Sequence, residues 1–475
     1  MSSSLPDRPT GPGDMGWVTA GFILFGFAAP AAAVGVPSSI GAVGLVFGPV
    51  LCVAVTAVSA LGSLFLHHLC LQHKVDNLPD LGRAVKGGAG FKLGFVLQQT
   101  NFFLYLPVAL LCVAEALRDC IDPKQKMLEG CTDYWIFIVA ALCFATTQMR
   151  DLSNVTAISF TSLGCVIAVI LSVFTIVADT PNPFKQDASW IGNPDMTTEG
   201  RESTGWTIFM LGATTTAWAY VPSFLTAELS NSRVMEYPSD FPKAIALSAL
   251  LNCVVYIGVG LFVVLQWGWK VNDPLMLGAT DYLNLWPSTD LRARALNLFW
   301  FVACLVSYAL DSIPLGRQCQ RYFDPNFDIT DFSPLACFKY MLYTLPTFIL
   351  AVVMAILVPS LFCMLAFMTA LTVPWVNCVF PAYLYKCEAR NRAEKEKKDS
   401  SQRLLEDNIE DGSSLRFSLK LDSHRLPHDW SVNLVSVSGY IIFIACAYGA
   451  VGKLATAELR GPVVVGCQGW LWLDE

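Results

Sequence analysis

Eleven apolar stretches, each long enough to cross a bilayer, take up most of these 475 residues. A spanning helix needs about 20 apolar residues. The spans read as Trp17–Pro37, Gly44–His68, Phe91–Leu117, Tyr134–Met149, Ser153–Val177, Gly205–Leu229, Lys243–Trp267, Ala293–Gly316, Ala336–Val358, Ser360–Tyr385 and Trp430–Lys453. They are numbered 1 to 11 below. In hydrocarbon every backbone polar group must be satisfied within its own segment, which leaves helices or closed barrels. Spans this long and apolar on all sides predict helices in lipid or in a bundle core.

Composition excludes the soluble alternative. The chain is 54% hydrophobic and 15% charged, against about 25% charge in a typical soluble domain. The net charge of −7 does not bear on nucleic acid; no basic face is available for phosphates, so no nucleic-acid partner is expected. Most of the 16 cysteines sit inside apolar spans, where they act as small hydrophobes. Cys120 and Cys131 instead flank a polar loop placed outside, and a disulfide between them is one of two open readings. There is no CxxC metal pattern, no serine–histidine–acid order and no phosphate-binding glycine loop, so neither a metal, nor a cofactor, nor an enzyme activity is expected. Met1–Gly16 is polar and rich in Pro, Gly and Ser, so span 1 is expected to serve as its own insertion signal.

Lys and Arg set orientation. With the N-terminus inside, 21 of the 31 basic residues fall on the cytoplasmic side, ten of them between Lys386 and Arg425. The expected organisation is a cytoplasmic tail (1–16), a ten-helix core (17–386), a cytoplasmic loop (387–429), an eleventh helix (430–453) and an extracytoplasmic tail (454–475). In the loop, Cys387–Ser401 alternates charge in a way that suits a helical extension, and Ser400–His428 is polar enough to stay disordered. A regulatory segment and a solvated connector both fit it. The sequon Asn154-Val155-Thr156 falls at the cytoplasmic start of span 5, where it stays unmodified.

Two spans carry unusual interruptions. Span 1 contains Ala28-Ala29-Pro30-Ala31-Ala32-Ala33-Val34-Gly35-Val36-Pro37. Pro30 lacks an N–H and clashes with the preceding turn. A break here would free N–H groups around Ala31, Ala32, Ala33 and Gly35, a seat for a carboxylate. A proline kink with small residues for helix packing explains the same letters. Span 6 contains Gly212-Ala213-Thr214-Thr215-Thr216-Ala217-Trp218-Ala219-Tyr220-Val221-Pro222. Three threonines beside Gly, Trp and Tyr read as ligand-facing hydroxyls, or as hydroxyls bonded back to their own helix. Breaks at matching places in two halves of a chain point to a transporter's binding site.

Ionisable residues within spans are costly and mark function by default. Asp311, about five residues from the inner end of span 8, is a proton site or an interfacial acid paired with Arg317. Ser307 and Ser312 flank it. Glu228 reads as half of a structural ion pair and Glu115 as wetted. Gln98-Gln99-Thr100-Asn101 in span 3 lines a cavity or bonds between helices. Tyr105, one turn on, reaches a substrate carboxylate or packs as an aromatic. His67, His68 and His73, at the inner end of span 2, read as interfacial.

These spacings resemble the amino acid/auxin permease family of eleven-span amino acid transporters. The matches are Pro37, Gly44 and Gly48; Asp80-Leu81-Gly82; Trp218-Ala219-Tyr220 with Glu228; Pro238–Ala244; Tyr256, Gly260 and Gly268; and Pro359, Pro381 and Tyr385. The chain departs from the pattern at Pro30, Ala32, Leu110, Val264 and Thr369, all around the expected cavity, so substrate identity does not carry over.

The resemblance implies an all-α polytopic membrane protein with eleven transmembrane helices. Ten would form a five-plus-five inverted repeat, leucine-transporter-like, with one extra helix. It implies a secondary active amino acid transporter, a monomer in the lipid bilayer that works by alternating access. The substrate would sit between the breaks of spans 1 and 6, against Tyr105, Thr214, Thr215, Thr216 and Trp218. Asp311, Ser307 and Ser312 of span 8 would serve the coupling ion, and a proton is favoured over Na⁺, since span 1 near the break offers few side-chain oxygens for a hard cation. An amino acid sensor signalling through 387–429, a Na⁺-coupled carrier and an exporter are the rivals. The membrane is the plasma membrane or a vacuolar or endolysosomal one.

Overall fold

The computed structural model describes residues 15–121, 132–150, 155–179, seven positions between 213 and 229, 235–268, 291–324, 327–328, 331–357, 361–407 and 429–458. These residues are helical, apart from short turns and one bridge in which Met15 pairs with Met235. Among them, eight helices are long and apolar enough to cross a membrane, and Trp17–Phe27 and Tyr134–Thr147 are shorter apolar stretches. Most of span 6 lies outside the described residues, as do Thr215, Trp218 and Glu228. So does Cys131, the partner of Cys120 in the disulfide reading.

The helices outrun their apolar windows, because a helix continues past the lipid wherever its residues allow. Span 2 runs Phe47–His73, span 7 Phe241–Trp267 and span 8 Leu291–Phe323. Span 10 continues as Phe380–Asp407, so the charge alternation after Cys387 does form helix, and the helix also takes in Ser400–Asp407 from the stretch expected to be disordered. The remainder of that loop, 408–428, lies outside the described residues.

Span 1 departs from expectation. Trp17–Val43 is one continuous helix through Pro30 and Pro37, without the expected break. The physical reason is the alanine run, since alanine has the highest helix propensity and proline removes only one bond. The chemistry offered changes accordingly. A proline inside a helix frees the carbonyl four residues earlier, here Gly26 and Ala33, rather than exposing N–H groups.

Span 3 begins as a fold-back. Leu78–Ile121 is two helices meeting at Gly87, whose φ of 70° suits glycine. Asn77 caps the first: its Oδ1 accepts the Asp80 N–H at 2.8 Å, while its Nδ2 donates to Asp80 Oδ2 at 2.7 Å. Gly82 and Gly90 then cross so closely that a Cβ on either would strike the other's carbonyl. This gives the Asp80-Leu81-Gly82 step a mechanical meaning.

Span 10 is interrupted by Pro374, after which Trp375–Val379 widens into a π turn. Gly62 of span 2 and Gly439 of span 11 lie against that turn.

The packing has a centre. Spans 3 and 8 bury 78% and 72% of their apolar windows, against 28% for spans 9 and 11. Span 8 packs on spans 3, 4, 5 and 9; span 3 on spans 4, 9 and 10; span 7 on spans 1, 2 and 5; and span 11 on span 10. Large side chains such as Leu250, Val254, Phe338 and Ile349 face outward, as they would towards lipid.

Candidate functional site

A buried polar row lies where spans 1, 3 and 8 meet. Asp311 has 0% exposure, and both its carboxyl oxygens lack a hydrogen-bond partner among the described residues. It forms no ion pair with Arg317 there, and the Arg317 guanidinium lies beside the Tyr340 phenol instead. Six residues turn a helix by about 240°, so Arg317 faces away from Asp311. The interfacial-pair reading of Asp311 is therefore set aside.

Ser307 is one turn before Asp311 and on the same face. Its hydroxyl is directed at the Ala303 carbonyl (3.2 Å) and the Phe27 carbonyl of span 1 (3.4 Å). The Tyr105 phenol of span 3 lies within hydrogen-bonding reach of Ser307 and within the field of Asp311. The Tyr105 and Phe27 rings are 5.6 Å apart. A row of hydroxyl, phenol and carboxyl thus joins three helices. Ser312 is not part of it: its hydroxyl donates to Ala309 of its own helix at 3.1 Å. A lone buried charge costs far more than a buried neutral acid. A carboxyl in this seat needs a counter-charge or a proton, which makes the row a place to hold one.

A second link joins spans 1 and 6. Ser39 and Thr216 hydroxyls meet at 2.5 Å, both buried. Thr214, two residues earlier, is turned the other way and reaches the Cys446 thiol on span 11. Thr216 is thus brought to span 1, and Thr214 to span 11. Gly35 remains helical, and its carbonyl accepts the Ser38 hydroxyl at 2.7 Å. Ala31, Ala32 and Ala33 lie in the same helix.

Sequence reasoning missed several participants. Ser38 and Ser39 fell just beyond the expected end of span 1, although two serines inside an apolar helix are themselves a signal. Phe27 enters through its carbonyl, which no side-chain pattern reveals. Asn101 is fully buried, and both ends of its amide lack a partner among the described residues.

The histidines need correction. His67 is buried, not interfacial, with its ring 5.3 Å from that of Phe241. His73 meets Glu388 at 3.2 Å, a carboxylate delivered by the extension of span 10. Gln72 and Arg392 also bond Glu388. Burial alone would push the Glu388 carboxyl up, but the bonds from Gln72 and Arg392 and the nearby charges of His73 and Arg392 outweigh it. Glu388 is held below the usual carboxylate range.

No curated relative matches the chain. Residues 13–405, well over half its length, match the family described as transmembrane amino acid transporter protein. A helical membrane protein with a polar row buried at its centre, carrying that match, belongs to the transmembrane amino acid transporter family.

Proposed function

We propose that the protein is a proton-coupled amino acid symporter that works by alternating access, with Asp311 as the proton-carrying group. One observation carries the coupling: a carboxyl with no exposure and no partner among the described residues, one helical turn from Ser307, which touches span 1. Substrate sits beside it, between spans 1, 3, 6 and 8. Its ammonium meets the carbonyls that Pro30 and Pro37 free on span 1, and its carboxylate meets the Tyr105 phenol. Thr216 and Ser39 tie the two substrate-bearing spans together.

The architecture in this reading is eleven helices, ten of them in a five-plus-five inverted repeat. The packing supports it. Adding or subtracting five turns the span 5–8 contact into 10–3, 3–4 into 8–9 and 4–8 into 9–3, and leaves 2–7, 3–8 and 4–9 unchanged. All of these contacts occur. An offset of five also reverses direction across the membrane, so the repeat is inverted. The Lys and Arg distribution supports an inward N-terminus.

Purified protein in liposomes tests the proposal. Uptake of labelled neutral amino acids rises when the outside is acidified. Uptake indifferent to pH and Na⁺ gradients rejects symport. Replacing Gly35 or Ala32 with a bulky residue abolishes uptake in folded protein, and normal uptake in both variants moves the site elsewhere.

The sensor reading has one observation in its favour: the loop's helix is latched to span 2 through Glu388, Gln72 and His73. Deleting 408–428 separates the two readings. A transporter keeps its flux, whereas a sensor binds amino acid without turnover.

A further inference from the structure

Spans 3 and 8 pack against each other along a polar seam that runs beyond the site described above. Tyr105 and Cys112 of span 3 are seven residues apart, and so are Cys304 and Asp311 of span 8. Seven residues make nearly two turns, so each pair shares one helix face. Tyr105 lies within the field of Asp311, and the Cys304 thiol is within hydrogen-bonding reach of Cys112. The two helices therefore run antiparallel and in register. One further step of seven brings Asp119 level with Asn297. None of these six residues is more than 6% exposed.

Two residues fill the half-steps. Ser307 stands between Cys304 and Asp311, within reach of the Tyr105 phenol. Glu115, partly exposed, stands between Cys112 and Asp119 and within the field of Cys304. Carboxyl, thiols, hydroxyl, phenol and carboxyl thus follow one another at steps of about 5–6 Å along the seam. Such gaps are closed by the side chains themselves or by single waters. Asn297 Oδ1, buried and without a partner among the described residues, offers such a water a seat. In the orientation that the Lys and Arg residues support, Glu115 lies towards the outer end. Asp119 beside it is committed to Arg118 at 2.9 Å, and Arg294 of span 8 lies within the field of Cys120. Glu115 is thus the outer acid next to the thiols.

We propose that the coupling proton reaches Asp311 along this seam, with Glu115 as the residue that loads it from outside. The inference rests on Asp311 being the proton-carrying group. The Glu115 carboxylate takes a proton from outside water, and a proton shifts along the row to the Asp311 carboxylate. Glu115 ends charged and Asp311 neutral, while the phenol, hydroxyl and thiols each release one proton for each that they accept.

The test compares the rate of uptake with the final accumulation, because a relay sets only how fast the proton arrives. The purified full chain is placed in liposomes and driven by acid outside. Glu115→Gln is expected to slow initial uptake by about tenfold or more, yet to reach the parent's plateau. Cys304→Val slows uptake too, and Cys304→Ser, which restores an exchangeable proton, recovers it. Parent rates in Glu115→Gln, or equal rates in the two Cys304 variants, overturn the relay and leave Asp311 in place as the seat. A parent plateau in Asp311→Asn overturns the seat itself, and the relay with it. If Glu115→Gln does not fold, the two Cys304 variants decide.

Discussion

Ser39 and Thr216, 177 residues apart in the chain, share a buried hydroxyl–hydroxyl contact that bridges spans 1 and 6. Removing one hydroxyl takes a hydrogen bond from the other, at about 0.5–1.5 kcal/mol, while removing both together costs less than the sum. A double-mutant cycle of Ser39→Ala and Thr216→Val, read by thermal unfolding, is expected to show a coupling of about 1 kcal/mol. Additivity would mean that the two hydroxyls do not act together.

Asp311→Asn keeps the shape of the side chain and removes its titration. Acid-stimulated uptake is expected to fall at least tenfold, about 1.4 kcal/mol or more in transport terms. Exchange of labelled for unlabelled amino acid across the same liposomes persists, since exchange needs no net proton movement. Loss of both activities alike would make Asp311 structural.

Tyr105→Phe deletes one hydroxyl and preserves the ring stack on Phe27. A hydrogen bond to a charged partner contributes about 1.5–3 kcal/mol, so the apparent KM for substrate rises by about tenfold or more. An unchanged KM in a folded variant would take the phenol out of substrate contact.

Gly82→Val and Gly90→Val each place a side chain where the opposite backbone already sits. Neither carbonyl can yield without moving its helix, so overpacking of several kcal/mol is expected. The yield of monodisperse protein from detergent extraction reads it out, with Gly88→Ala, which meets nothing within 4 Å, as the tolerant control.

The latch at Glu388 predicts a pH dependence. Its folded carboxyl titrates below its ordinary value of 4.5, so the stabilisation is complete above that value and is lost as pH falls through the folded one. Melting temperature measured between about pH 6 and pH 3 is expected to fall less steeply in Glu388→Gln than in the parent. Parallel curves would show that the carboxylate contributes nothing to acid sensitivity.

The spans were legible because lipid demands length and apolarity, and both are local. Asp311 was legible for the same reason: an acid stands out in an apolar run. Its solitude was not, because that depends on what Arg317 does six residues later, across Pro314. The break expected at Pro30 misjudged a local contest in which flanking alanines outweigh one missing bond. The Ser39–Thr216 bridge and the His73–Glu388 contact join residues 177 and 315 positions apart, beyond any periodicity. The alternating charges of Cys387–Ser401 spoke correctly for helix, while the helix runs on to Asp407 through residues whose polarity spoke for disorder.

The small bridge between Met15 and Met235, extended by the Glu236 N–H to the Met15 carbonyl at 3.1 Å, ties the lead-in of the first helix to a strand of chain made only after the sixth. During synthesis, therefore, this pairing cannot form until half the polypeptide has left the ribosome. The first helix can settle early on spans 2 and 5, but its leading end is fastened only once the second half of the protein has arrived.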